Sequence, residues 1–112
     1  MRIIKRKDWS NVPGNYTGIV KVKRCYSRWY KNGDLHREDG PAYFEPRSNY
    51  SVWWLDGELI WSSYDKLDLT DQIILSKTKH PKYPTAQVWK ILEKDKVYER
   101  IIIPGMEELI IE

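Results

Sequence analysis

In the stretch Asp34-Leu35-His36-Arg37-Glu38, potential metal ligands recur at every second position. An extended strand would place Asp34, His36 and Glu38 on one side, where their oxygen and nitrogen atoms could meet a metal ion. The chain holds only two histidines and no second cluster of this kind. The plainer expectation is therefore no metal and no cofactor, with His36 hydrogen-bonding a neighbouring hairpin and Arg37 pairing with a nearby carboxylate. Cys25 with His36 or His80 would supply a nucleophile and a base, but nothing in the sequence orients such a pair. A lone cysteine is more simply expected as a buried structural residue. No acid, base and nucleophile converge, so the expected protein is not an enzyme.

Aromatic residues carry a stronger signal. Six Trp and eight Tyr stand against a single Phe. In Tyr50-Ser51-Val52-Trp53-Trp54-Leu55 the strand period puts Tyr50, Val52 and Trp54 on one face and Ser51, Trp53 and Leu55 on the other. A single-layer sheet buries only one face fully. The smaller, more mixed face is that of Trp53, with Trp29 on the same side. Trp29 and Trp53, flanked by Lys31, His36 and Arg37, are thus the candidate platform for a protein partner. The competing expectation is that the last third of the chain folds over this face and makes it core. An alternative site for single-stranded nucleic acid combines Lys21, Lys23, Arg24 and Arg28 with the Trp face.

These side chains need strands to hold them. Val20 and Val22 alternate with Lys21 and Lys23 in a half-buried strand over residues 17–23, the lysines guarding an open edge. Tyr26 to Lys31 reads as a second strand. Asn32-Gly33 follows as a type I′ turn, with return through Asp34-Leu35-His36. Further turns fall at Asp39-Gly40-Pro41 and Pro46-Arg47-Ser48-Asn49, and Asp56-Gly57 joins Tyr50–Leu55 to Glu58–Trp61. Leu67, Leu69, Ile73 and Ile74, with Thr70 as a cap, predict a short helix over residues 70–77. Thr85 to Glu93 and Val97 to Ile103 form most simply a second hairpin, a helix from Thr85 being the alternative. The fold class is mainly β with a minor α+β character: an antiparallel meander of about six to eight strands and one short helix. Residues 1–112 are expected as one domain, with a hairpin meander over 17–64 and a closing helix and hairpin over 65–112. The first seven or so residues are a lead-in.

Part of this pattern is duplicated. Trp29-Tyr30-Lys31-Asn32-Gly33-Asp34-Leu35 lies over Trp53-Trp54-Leu55-Asp56-Gly57-Glu58-Leu59 at an offset of 24 residues, with Trp, Gly and Leu identical. The fourteen residues from Trp29 to Ala42, with their Asn-Gly, His-Arg and Asp-Gly-Pro-Ala elements, resemble the unit of MORN-like repeat proteins of phage and bacterial genomes. Trp53 to Leu59 resembles the start of a second unit. Ile60-Trp61 then stands where His-Arg would be. The resemblance implies a stack of β-hairpins that serves binding or scaffolding, without a shared enzymatic activity. The resulting expectation is a phage-encoded accessory protein that binds or inhibits a host protein.

Charge and length narrow the setting. Net charge is +3, but residues 1–31 hold nine Lys or Arg against one Asp, while residues 32–75 hold three against nine acids. Such asymmetry suits either a nucleic-acid face or a complementary protein surface. The longest apolar run, Val52 to Leu55, is far short of the roughly 20 residues of a membrane span. With one cysteine and no apolar leader near Met1, a cytoplasmic protein is expected. It would be a monomer, or a homodimer paired through Ile101–Ile103 and Leu109–Ile111.

Overall fold

The computed structural model describes residues 3–6 and 14–111. They fall into two compact units that divide between Tyr64 and Asp65: residues up to Arg37 with Pro41–Tyr64, and Glu38–Gly40 with the residues from Asp65 onward.

The first unit is one sheet. Its strands are β1 (Ile3–Arg6), β2 (Gly18–Val22), β3 (Tyr26–Lys31), β4 (Asp34–Leu35), β5 (Tyr43–Glu45), β6 (Tyr50–Leu55) and β7 (Glu58–Ser62). They run in the order β1-β2-β3-β5-β6-β7, with β4 also on β3. From β2 onward neighbours are antiparallel. The meander expected from the turn residues is therefore present. Ile3–Arg6 is not a lead-in but a strand, parallel to β2, so those lysines do not guard an open edge.

Both hairpin turns have the geometry their residues favour. Asn32 and Gly33 have φ of 51° and 87°, and Asp56 and Gly57 have 47° and 80°. Two successive positive φ values define the type I′ turn, whose twist matches that of paired strands.

The second unit contains β8 (Leu67–Asp68), β9 (Ile73–Lys79), β10 (Gln87–Glu93), β11 (Lys96–Ile102), a 3-10 turn at Glu107–Leu109, and β12 (Ile110–Ile111). Strands β9, β10 and β11 form an antiparallel sheet, and β12 pairs in parallel with β8. The expected hairpin of residues 85–103 is present, but the helix over 70–77 is absent. The Asp68 carboxylate instead accepts the Thr70 amide at 3.0 Å and its hydroxyl at 2.8 Å, and the chain enters β9 within three residues. The backbone amide first, then the hydroxyl, hold the Asp68 carboxyl below its ordinary pKa. Ile73, Ile74 and Thr78 are β-branched, which favours a strand once β10 is present to pair with.

Leu67, Leu69, Trp89, Ile91, Ile102, Ile103 and Met106 are buried residues of this unit. Ile102 and Ile103 are therefore core, and not apolar surface for a second copy as the sequence suggested. Among the described residues no helix is long and apolar enough to cross a membrane.

Candidate functional site

Strand register assigns each side chain of the first unit to a face. Ile19 pairs with Trp29, and Trp53 with Trp61. Ala42, fully buried, lies between Trp29 and Trp53 in the same row. On this Trp face Ser51, Trp53, Leu55 and Trp61 are all buried, and the Trp53 and Trp61 rings lie 5.2 Å apart. Trp53 is only 2% exposed. The pair Trp29 and Trp53 does share a face, but the expected exposed platform does not form because the Trp53 half of that face is core.

Of the residues flanking that platform, His36 and Lys31 instead hold the second hairpin turn, much as Tyr16 and Thr17 hold the first. The Gly33 amide donates to the Tyr16 carbonyl at 2.9 Å and the Asn32 amide to Thr17 Oγ1 at 2.8 Å. One repeat later, Gly57 donates to the Leu35 carbonyl at 2.9 Å and Asp56 to His36 Nδ1 at 2.8 Å. Each turn is therefore docked on a carbonyl and on the side chain of the next residue. His36 is consequently buried, and its Nδ1 accepts while unprotonated. Asp56 Oδ1 lies 3.3 Å from the same nitrogen and 3.8 Å from Lys31 Nζ. The Arg37 guanidinium covers the Trp29 ring at 4.2 Å and donates to the Pro41 carbonyl. At offset 24 from Leu35-His36 stands Leu59-Ile60. Ile60 has no acceptor, so a third turn could not dock in this manner.

The opposite face is different. Arg28 pairs with Val20 and Tyr43, Tyr43 with Val52, and Val52 with Ser62. Around them a groove of about 330 Å³ is lined by Arg28, Leu35, Tyr43, Tyr50, Val52, Trp54, Leu59 and Ser62. Its residues come from five strands of a single unit, which fixes them relative to one another. Tyrosines continue along this face. Tyr26 stacks on Tyr43 at 5.5 Å, Tyr43 meets Tyr50 edge-on at 6.0 Å, and Tyr50 stacks on Tyr64 at 4.2 Å. Leu59 is 53% and Tyr64 73% exposed.

Arg28 sits among these rings. Its guanidinium carbon lies 4.4 Å from the Tyr26 centroid and 5.3 Å from that of Tyr43, and Nη1 reaches the Tyr30 hydroxyl at 3.4 Å. Burial works against its charge, but the hydrogen bond to Tyr30 and the nearby tyrosine oxygens outweigh it and raise its pKa. Burial, followed by the hydrogen bond to Glu45 at 2.7 Å, pushes the Tyr43 phenol from its ordinary 10.0 up to about 12.

The basic set expected for nucleic acid is not brought together. Lys21 pairs with Ser27 and so points to the face opposite Arg28, while Lys23 and Arg24 lie in the turn between β2 and β3, Arg24 with a φ of 62°. Cys25 occupies the same turn and is exposed, not buried. His80 Nδ1 accepts the Lys82 and Tyr83 amides at 3.0 and 3.2 Å, ordering its own loop. No group of three or more His, Cys, Asp or Glu is arranged to hold a metal among the described residues.

Of the residues lining the groove, the sequence marks only Arg28 as a site residue, and for nucleic acid; Leu35, Tyr43, Tyr50, Val52, Trp54, Leu59 and Ser62 are not marked. Their signal was the period-2 series Tyr26-Arg28-Tyr30 and Tyr50-Val52-Trp54, which places one Arg amid aromatics. Comparisons with protein-family models, curated proteins and solved structures gave no match, so the functional reading rests on this geometry.

Proposed function

We propose that the protein is a non-enzymatic binding module that receives a partner protein on the tyrosine face of its first unit. The observation that supports this reading most is the groove around Arg28. Its walls are Tyr, Trp and Leu side chains, the residue types that supply large contact area and a polar edge at protein interfaces. Each of these walls is carried by a strand paired on both sides or locked by a type I′ turn, so little ordering remains to be done on binding. The module acts by covering its partner's surface. The likeness to MORN-like repeats favours the same class of role, with a phage-encoded protein blocking a host target in the cytoplasm as its finer form.

The test is affinity capture from the native host with nuclease present, using the intact chain and its Trp54→Ala variant. A protein retained by the intact chain after nuclease treatment, and lost with the variant, is the expected result. Material retained only in the absence of nuclease, and released steeply by salt, would overturn the reading in favour of nucleic acid.

A further inference from the structure

We infer that the groove takes an extended peptide segment of the partner through a carboxylate seated on Arg28. This rests on the protein-binding reading above and names the chemistry the groove selects.

Charge carries the inference. Along the strand positions of this face from β2 to β7, Arg28 is the single cation. No carboxylate lies within ion-pair distance of it among the described residues; its neighbours are tyrosine rings and the Tyr30 hydroxyl. Its Nε–H is buried without a hydrogen-bond partner among those residues. Buried charges and donors are normally matched within a fold, and an unmatched one marks a place where a ligand completes the set. Nη1 is already turned to Tyr30. Nε is closed off from solvent, so a carboxylate engages the guanidinium at its remaining terminal nitrogen, Nη2, through a charge-assisted hydrogen bond. Glu45, the acid on the same face, is held by Tyr43 and Ser48.

The surroundings indicate the rest of the ligand. The Tyr26, Tyr43, Tyr50 and Tyr64 rings follow one another in sequence along the sheet, a track suited to an extended chain and longer than one small acid would cover. A nucleic-acid strand would need several cations along its phosphates, and this face offers one.

The experiment selects binders from a displayed library of random linear peptides on the intact protein, then measures synthetic copies by fluorescence polarisation. Selected sequences should share an Asp or Glu beside apolar or aromatic residues. Replacing that acid by its amide should weaken binding to the wild-type protein about 30-fold or more, as expected for removing one partner of a buried charge pair. Arg28→Lys should weaken the acidic peptide and leave the amide version unchanged. The swap on the peptide decides the matter even where an Arg28 variant fails to fold. Peptides that bind equally well as acid and amide, yet are lost with Trp54→Ala, would overturn the carboxylate and leave the groove. Peptides indifferent to Trp54→Ala would remove the groove itself. Displacement of the peptides by oligo(dT) that binds through Arg28 would reassign the site to nucleic acid.

Discussion

The two faces of the first unit's sheet use aromatic side chains in opposite ways. Ser51, Trp53, Leu55 and Trp61 are closed away from water. Tyr50, Val52 and Trp54, one position along the same strand, border a groove. Residue type contributes to the contrast, although Trp54 lines the groove. An indole packs a large area with a single donor, whereas a phenol keeps a hydroxyl that prefers a wet or hydrogen-bonding edge. Val20, Val22 and Val52 are nonetheless buried on the Tyr face, so burial is shared by the two faces, and the proposed recognition falls to the groove end of the Tyr face.

That division can be broken by substitution. Trp53→Ala should show the largest effect, a loss of about 3–5 kcal/mol in chemical denaturation. Trp54→Ala, at a half-buried position, should cost clearly less and act on binding instead. Equal destabilisation by the two variants would erase the distinction between the faces.

The two turns offer a finer comparison, since they share a geometry but differ in what lies beneath. A Cβ at Gly33 would come within 1.9 Å of the Gly14 carbonyl oxygen, whereas one at Gly57 would meet the Asp34 side chain at 3.2 Å. Gly33→Ala should therefore exceed about 1 kcal/mol, the usual scale for an incompatible positive φ, and Gly57→Ala should cost less. Thermal melts of the two variants check the order. His36→Ala removes the acceptor of the Asp56 amide and should lower stability by about 1 kcal/mol. Thr17→Ala would sharpen the comparison, because Thr17 accepts the equivalent amide in the first hairpin.

The smallest effect is one of titration. A Tyr43 pKa raised to about 12 favours the neutral phenol in the fold. Its contribution to stability is complete below pH 10 and is lost as pH rises toward 12. Phenolate absorbance should show one tyrosine titrating near 12, absent in Tyr43→Phe and lowered in Glu45→Gln.

Much of this architecture is legible along the chain because it is local. Asn-Gly and Asp-Gly fix their turns through backbone conformation alone, and the β-rich runs Tyr26–Lys31 and Tyr50–Leu55 stand between turn residues. Pairing partners distant in sequence are harder to read. Nothing local in Ile3–Arg6 announces a parallel neighbour, and residues 73–79 become a strand only because β10 is there to pair with. The site shows the same limit. Arg28 lies opposite Val20, and not beside Lys21, because a three-residue connection joins Val22 to Tyr26. A connection one residue longer or shorter would turn Arg28 onto the lysine face. Its identity as a cation was plain from the sequence, while its setting among Tyr26, Tyr30 and Tyr43 required the register.

The central claim is that partners meet the Tyr face. With 5-fluorotryptophan incorporated and each resonance assigned by single Trp→Phe variants, addition of the captured partner should shift the fluorine signal of Trp54 and leave that of Trp53 in place. A shift at Trp53 with none at Trp54 would contradict the account.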